Sequence, residues 1–376
     1  MQLWGKSVTL KTAFVVSSEV SDLNRLLSIV TATLVAVSIV VQVGRFGDMP
    51  QFFAAAIAII PLAALMGKAT ETIAAHAGAR LGGLLSATFG NAVELIIGIF
   101  SLHEGLTSLV KASITGSVVG NLLFVLGLSF FVGGIRHPIQ EFNVRVARSN
   151  ASMLMLGVGV AFVVPTVFAR TAHPVSSVLS FGVAGVSLIV YLLGLYFSLF
   201  THRDVFAYIG HEQEEAQGSQ PRLWPAILTL AVTTVLVSVE SDWLVGTVRS
   251  IATQLGWSEL FIGVVVVAII GNAAEHASAV WMAWKNRMDL SVEIAVGSTL
   301  QVAMFIAPVL FFVGVCIGVP FNFMFTWPEL VSMIAAVLLV VVLMLDGESN
   351  WLEGAMAVGA YLVLAAGFYS LPAPAA

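Results

Sequence analysis

The chain has 376 residues, of which 59% are hydrophobic and only 10% charged, and its formal net charge is −5 at pH 7. A soluble domain carries about 25% charged residues, so this composition excludes an ordinary soluble fold and predicts an integral membrane protein. The negative charge argues against nucleic acid as a partner. The single cysteine, Cys316, excludes a disulfide framework and a cysteine-based metal site.

The first 21 residues hold Lys6 and Lys11 around short apolar pieces, and no small-residue cleavage site precedes the first long apolar run. We therefore expect a retained cytoplasmic segment, or an amphipathic helix on the membrane surface. Residues 1–45 comprise this segment and the first predicted transmembrane helix.

Eleven apolar runs follow one another along the chain, each long enough to cross a bilayer as a helix. Their predicted limits are 26–43, 50–75, 82–102, 107–134, 150–168, 176–200, 223–245, 258–284, 291–316, 323–345 and 351–370. The sequence therefore predicts an all-α integral membrane protein with about eleven transmembrane helices.

The most polar connection, residues 201–222, divides the chain into two halves, 46–200 and 223–376, with five predicted helices in each. It contains a short acidic cluster, namely Glu212, Glu214 and Glu215 after His211. This segment is interpreted either as a solvated linker or as an acidic cytoplasmic segment that gathers or senses cations.

Positive charges predict the orientation, because short cytoplasmic loops carry an excess of Lys and Arg. With the N-terminus inside, twelve of the sixteen Lys and Arg residues fall on the inner side. The outer side keeps Arg45, Lys111, Arg170 and Arg249. We expect a multi-pass protein with its N-terminus in the cytoplasm and its C-terminus outside. The short chain favours a bacterial inner membrane, with an organelle membrane as the alternative, and the oligomeric state stays open.

The two halves contain an internal repeat. Gly90–Glu94 (Gly-Asn-Ala-Val-Glu) in the first half matches Gly271–Glu275 (Gly-Asn-Ala-Ala-Glu) in the second. The same register, without a gap, pairs Gly116-Ser117 with Gly297-Ser298, and Phe131-Val132-Gly133 with Phe312-Val313-Gly314. The matched motifs lie five predicted spans apart, and an odd step reverses the direction of a helix in the membrane. Inverted repeats are typical of transporters that bind their ion near the midplane, between the halves.

Glu94 and Glu275 lie well inside the third and eighth predicted spans. A carboxylate at the centre of a membrane helix costs about 2.5 to 3.5 kcal/mol, so such a group is expected to have a partner and a function. Asn91 and Asn272 each precede one of these glutamates by three residues and share its helix face. Carboxylate and amide oxygens are ligands that Ca2+ prefers, so these four residues are the predicted cation ligands.

Polar residues of the fourth and ninth predicted spans are predicted to face these ligands and line the transport path. They are Ser117, Asn121, Ser298 and Gln301, with His276 as a proton relay or a structural histidine. Gly90 and Gly271 would let the helix bend or a partner approach closely, or serve tight packing. Glu71 and Glu240, near the ends of the second and seventh predicted spans, are interpreted as entrance residues or simple interfacial charges.

Catalysis is not predicted. The sequence has neither a His-Glu-x-x-His zinc motif nor a Gly-x-x-x-x-Gly-Lys-Ser/Thr phosphate loop. We therefore expect no enzyme and no cofactor, with a cation as the transported substrate and protons as the counter-ion. A cation channel is the alternative from another class, but paired buried carboxylates suit alternate occupancy by a cation or protons better.

The two paired motifs resemble those of the CAX-type Ca2+/H+ antiporters of the calcium/cation antiporter superfamily. The likeness covers nearly the whole membrane core, through Ala69–Glu71, Leu81–Leu85, Thr88-Phe89, Gly116-Ser117, Gly120-Asn121, Glu240, Phe261–Gly263, Gly297-Ser298 and Gln301. Na+/Ca2+ exchangers of the superfamily differ here, with Ser- and Pro-containing motifs.

The resemblance implies an extra first helix followed by two inverted five-helix repeats, with Glu94 and Glu275 binding Ca2+ and protons in competition during alternating access. It also implies an acidic central loop. Related bacterial members exchange Na+ or K+ for protons, so a monovalent cation/proton antiporter at the same site is the close alternative.

Overall fold

The computed structural model describes residues 25–171, 176–201 and 222–372. The predicted N-terminal cytoplasmic segment and the acidic linker residues His211, Glu212, Glu214 and Glu215 lie outside the described residues. What is described is helical apart from one two-stranded sheet and the connecting turns.

The first half forms helices α1 to α6 and strand β1. Their bounds are Arg25–Val43 for α1, Asp48–Phe89 for α2, Ala92–His103 for α3, Thr107–Val119 with Gly120–Val125 (a π-helical segment) and Leu126–Arg136 for α4, Gln140–Glu141 for β1, Val144–Leu154 with Met155–Val160 (π-helical) and Val163–Thr171 for α5, and Ser176–Tyr196 with Phe197–Thr201 (π-helical) for α6.

The second half forms helices α7 to α12 and strand β2. Their bounds are Leu223–Leu255 for α7, Glu259–Phe261 with Ile262–Val267 (π-helical) and Ala268–Gly271 for α8, Ala273–Trp284 for α9, Met288–Gln301 with Val302–Ile306 (π-helical) and Ala307–Ile317 for α10, Trp327–Leu343 for α11, Glu348–Ser349 for β2, and Trp351–Tyr369 for α12.

The predicted number of eleven spans is not confirmed. Within the described residues, eight helices are long and apolar enough to cross a membrane, or nine if the bent pair α8–α9 counts as one span. Helix α2 is kinked at Gly78, where φ is 79° and ψ 166°, so its last part, residues 79–89, belongs with α3 to the third predicted span. That span is interrupted before the 12-residue α3, and the tenth predicted span is the 17-residue helix α11. Apolar composition continues across the breaks, which is why hydropathy does not reveal them.

Two helix limits differ from the predictions by six residues or more. The fifth predicted span begins at Val144 rather than at residue 150. The seventh continues to Leu255, well past its predicted end at residue 245, and stops where Gly256 adopts a left-handed conformation with φ 67°. Arg249 and Ser250 lower the hydropathy of this last part without breaking the helix.

The repeat predicted from the sequence has its counterpart in the helix bounds. In the register that pairs Gly90 with Gly271, Ala92–His103 (α3) and Ala273–Trp284 (α9) begin and end at equivalent positions. The same register relates the start of α4 at Thr107 to the start of α10 at Met288, and Arg136 to Ile317 at their ends. Each member of this pair contains a π-helical segment, Gly120–Val125 or Val302–Ile306.

Contacts between the connections divide into two ends of the bundle. At the end that we call the inner end, β1 pairs antiparallel with β2, and Gln140 Nε2 donates to Asn286 Oδ1 at 2.9 Å. At the opposite, outer end, Arg249 Nη2 donates to the Glu104 carbonyl at 3.3 Å, and Ser108 contacts Glu259. Successive connections therefore alternate between the two ends.

The apolar interior contains two large clusters. One is built mainly from α4, α5 and α9 to α12, and the other from α1, the first part of α2, and α7, with parts of α3 and α8. The predicted cation ligands lie on α3 and α9 or directly before them, and the predicted path residues Ser117, Asn121, Ser298 and Gln301 lie on α4 and α10, so the site is built from helices that the repeat relates.

Candidate ion-binding site

A break in the helix precedes each predicted glutamate. Asn91, between α2 and α3, has φ −104° and ψ 33°, and Asn272, between α8 and α9, has φ −100° and ψ 8°. The chain bends by 62° between α8 and α9. Each glutamate thus lies in the first turn of a new helix, where backbone N–H groups and the helix dipole favour negative charge.

The two carboxyl groups are close neighbours. Glu94 and Glu275 interact electrostatically, and Glu71 adds its charge at Glu275. Both carboxylate oxygens of Glu94 are buried, and no hydrogen-bond partner of either is found among the described residues. A buried carboxyl without a protein partner is the group that a cation or a proton would satisfy.

Each glycine of the repeated motif lies against a polar side chain of the other repeat. A Cβ atom on Gly271 would lie 3.2 Å from Glu94 Cγ, and one on Gly90 would lie 3.2 Å from Gln301 Oε1. A larger residue at either position would displace these polar groups. The close approach predicted for the glycines is therefore seen at both.

Amide and hydroxyl side chains form a network that crosses between the repeats. Ser298 Oγ accepts from Asn121 Nδ2 at 3.0 Å and lies 2.9 Å from Asn91 Oδ1 and 3.4 Å from Asn272 Oδ1, either of which can accept its proton. Asn272 Nδ2 donates to Ser117 Oγ at 3.0 Å. Ser298 therefore connects the path residue Asn121 with both predicted amide ligands, Asn91 and Asn272.

Gln301 and His276 extend this network through Asn91 and Asn121, respectively. Asn91 Nδ2 donates to Gln301 Oε1 at 2.5 Å, and His276 Nε2 lies 3.1 Å from Asn121 Oδ1. His276 also lines an apolar cavity of about 550 Å³, together with Trp281 and Trp284. A chain of polar contacts thus leads from that cavity to the asparagines beside the glutamates.

The two predicted entrance residues differ in their surroundings. Glu71 is exposed and close enough to Glu275 to interact with it electrostatically, so an exposed carboxyl accompanies the buried pair. Glu240 is 1% exposed and lies near the middle of α7, because that helix is longer than predicted. Its predicted position near a helix end is therefore wrong, and its role as an entrance residue stays a prediction.

The donor set suits a hard cation. No group of three or more His, Cys, Asp or Glu residues that could hold a metal ion is found in ranges 25–171, 176–201 and 222–372. The available ligands are instead two carboxyl groups with the side-chain oxygens of amides and serines. Oxygen ligands of this kind bind Ca2+, which takes six to eight of them, water included.

Sequence reasoning missed several polar groups in the bundle. Glu293 on α10 accepts from Asn150 Nδ2 at 3.5 Å, and Lys111 Nζ donates to Asn322 Oδ1 at 2.8 Å near the buried Glu329. The signal that could have found them is an ionisable residue inside an apolar run.

Comparison with known proteins assigns most of the chain to one family. A model of the sodium/calcium exchanger protein family matches residues 49–200 and 225–370. The Ca2+/H+ antiporter ChaA of Bacillus subtilis (strain 168) is 49% identical over 354 residues, which cover 93% of this chain and 100% of that protein.

Solved structures agree in fold. The structure of native YfkE has a TM-score of 0.80 at 45% identity and covers 92% of this chain and 100% of its own. The crystal structure of the H+/Ca2+ exchanger CAX has a TM-score of 0.69 at 13% identity and covers 91% of each chain, which shows a shared fold.

Proposed function

The chain belongs to the sodium/calcium exchanger protein family, and from this membership we propose that it is a secondary active transporter that exchanges Ca2+ for protons across a membrane. Its similarity to Ca2+/H+ antiporters supports both ions and a transporter rather than an enzyme. The predicted resemblance to CAX-type antiporters is confirmed.

One observation carries the assignment of the site. Glu94 and Glu275 lie at equivalent positions of two inverted repeats, interact with each other, and are accompanied by Asn91 and Asn272. Two neighbouring carboxylates repel each other unless a cation lies between them or protons neutralise them. This pair can therefore alternate between a divalent cation and protons.

The exchange follows from competition at this one site. Ca2+ binds to the deprotonated carboxylates with amide oxygens completing its shell, and protons displace it on the other side of the membrane. A site that holds Ca2+ or protons has little net charge. An empty deprotonated site would bury the two negative charges of Glu94 and Glu275. Because buried charge is costly, the switch between the two openings favours the neutralised forms. That preference couples the two fluxes.

The packing of the helices supports alternating access. The site lies where the cluster containing α1, α2 and α7 meets the cluster containing α4 and α9 to α12. Movement of one packed group against the other would change the side from which the glutamates are reached. Glu71, beside Glu275, would meet ions that enter on its side.

We also propose the orientation predicted from the positive charges, with the N-terminus in the cytoplasm and the C-terminus outside. A bacterial inner membrane is supported by the Bacillus relative. In this orientation Glu71 lies in the inner half of α2, and an inward proton gradient drives Ca2+ out of the cell.

Purified protein in liposomes containing a pH-sensitive dye tests this function. We expect Ca2+ entry coupled to proton release in the wild type, and loss of both in Glu94→Gln and in Glu275→Gln. Glu259→Gln is the matched control, since Glu259 lies at the outer end of α8 and contacts Ser108. Coupled flux with Na+ or K+ in place of Ca2+ would overturn the substrate, and Ca2+ flux without proton movement would overturn the mechanism.

A further inference from the structure

A carboxyl group that the exchange cycle does not use lies between α1 and α7. Glu240 is 1% exposed, and Ser38 Oγ donates a hydrogen bond of 2.6 Å to its Oε2. Ser38 is itself fully buried. An ionisable group in the middle of a membrane helix calls for a functional explanation.

Most side chains next to Glu240 and Ser38 on the same helix faces are apolar, and the polar Gln42, four residues after Ser38, donates instead to the Gln51 carbonyl at 3.5 Å. Val237 and Leu244, three residues before and four after Glu240, are fully buried, and Val35, three residues before Ser38, is 7% exposed. All three belong to the apolar cluster of α1, α2 and α7. The hydroxyl of Ser38 is therefore the polar neighbour that the structure assigns to Glu240.

The charged groups of the surrounding helices lie at other levels or on other faces. On α1 the charged residue among those described is Arg25, thirteen residues or about 20 Å from Ser38 along the helix. On α2 Asp48 contacts Ser250, and Lys68 and Glu71 lie beyond Met66, which contacts Thr234.

The remaining charged groups belong to α3 and to α7 itself. On α3, Glu94 lies against Gly271, and His103 is at the outer end, next to the Glu104 that receives the Arg249 hydrogen bond. On α7, Asp242 is exposed while Glu240 is buried, so the two carboxyls occupy different faces.

We infer that Glu240 is a proton-binding site separate from the exchange site, and that its protonated carboxyl fastens α1 to α7 through Ser38. A carboxylate held by one hydroxyl in apolar surroundings would be an uncompensated buried charge. A neutral carboxyl can both donate and accept, which suits a single hydroxyl partner.

Comparison of the two repeats indicates why the Glu240 carboxyl bonds to α1. In the register that pairs Gly90 with Gly271, the position of the first half that corresponds to Glu240 is Ile59, so the carboxyl has no acidic counterpart there. Helix α1 also precedes the two repeats, and only 17% of the residues in its most apolar stretch are buried against the rest of the protein. A helix with so little packing gains more from one buried hydrogen bond than the tightly packed helices do.

Infrared difference spectroscopy between acid and alkaline pH, on the purified full-length protein, tests the proton directly. We expect the wild type to show a carbonyl band of a protonated carboxyl that is absent in Glu240→Gln. Ser38→Ala keeps the carboxyl but removes its partner, so the band should shift. Ser241→Ala, which removes a buried hydroxyl without a hydrogen-bond partner in the structure, should leave the band in place.

Thermal unfolding against pH gives a second measurement. A proton held in the folded state and released on unfolding makes stability fall as pH rises. The unfolding temperature should therefore depend less steeply on pH in Glu240→Gln than in the wild type. Identical infrared spectra of the wild type and Glu240→Gln would overturn the proposal. If that variant does not fold, an unshifted band in Ser38→Ala would overturn it. Neither result depends on which ions are exchanged.

Discussion

Glu94 of the first repeat lies directly against Gly271 of the second, so that a Cβ atom on Gly271 would be 3.2 Å from Glu94 Cγ. Gly271 immediately precedes Asn272 and the helix break that positions Glu275. The motif that holds one carboxyl thus also limits the space of the other. This contact ties the two repeats together at the exchange site.

Gly271→Ala should weaken Ca2+ transport without unfolding the protein. The added methyl group forces the Glu94 side chain to move by a few tenths of an ångström, and a misplaced ligand lowers affinity. We expect the KM for Ca2+ to rise by about tenfold, less than the roughly hundredfold that a full 1 Å misplacement can cost. Uptake of radioactive Ca2+ into proteoliposomes measures it.

Gly246→Ala is the control, because no atom lies within 4 Å of a Cβ on Gly246. Its KM should match that of the wild type. An unchanged KM in Gly271→Ala would mean that Glu94 does not need its observed position for Ca2+ binding.

The second paired motif predicts an asymmetry that the sequence does not show. A Cβ on Gly116 would lie 2.2 Å from the Val264 carbonyl oxygen, whereas one on Gly297 meets nothing within 4 Å. Gly116→Ala therefore requires α4 and α8 to separate, and we expect a clear loss of thermal stability or of folded protein. Gly297→Ala should unfold at or above the wild-type temperature, since alanine favours a helix over glycine by about 1 kcal/mol. Equal unfolding temperatures would contradict the close packing at Gly116.

The repeat register was predictable because the motifs match without gaps and the helices follow them. Ala92 and Ala273, which begin α3 and α9, are paired by the same register that pairs Gly90 with Gly271. The helix breaks themselves were not predictable from hydropathy, since the residues on both sides of Asn91 and Asn272 are apolar. A polar residue in an apolar run indicates that a polar group is buried at a cost in free energy. It does not indicate the backbone angles, because these depend on the packing around the residue.

Contacts between distant helices could not be predicted from the sequence for another reason. Periodicity shows that Asn91 and Glu94 share a face, but it does not show which helix faces them. The partner of Asn91, Gln301, lies 210 residues away, and that of Glu240, Ser38, lies 202 residues away. The length of α7 was also missed, so Glu240 lies in the middle of that helix rather than near its predicted end.

Ser298→Ala should be more harmful than Ser117→Ala, although the two serines are equivalent in the repeat. Ser298 Oγ contacts Asn91, Asn121 and Asn272, whereas for Ser117 the contact found in this network is with Asn272. A buried polar group left without a partner costs about 1 to 3 kcal/mol. We expect Ser298→Ala to lower Ca2+ affinity by about 10- to 100-fold, as measured by isothermal titration calorimetry. Equal Ca2+ affinities of the two variants would contradict the proposal that Ser298 contributes more to the site than Ser117.

Lys111 on α4 and the buried Glu329 on α11 attract each other at the outer end of the bundle. Lys111 Nζ donates to Asn322 Oδ1 at 2.8 Å and to the Met324 carbonyl at 2.9 Å, and its charge is attracted by Glu329, which is 1% exposed. These contacts join the outer end of α4 to the start of α11.

Lys111→Met removes the positive charge and leaves the carboxyl of Glu329 buried without it. The substitution also removes the hydrogen bonds from Lys111 Nζ to Asn322 and Met324, and a hydrogen bond to a charged group contributes about 1.5 to 3 kcal/mol, so we expect a clear fall in unfolding temperature. The double variant Lys111→Met/Glu329→Gln removes both charges and should recover much of that loss, because its cost then reflects hydrogen bonds rather than an unpaired charge. Additive losses in the double variant would show that the two side chains act independently and that the attraction between them contributes little to holding α4 against α11.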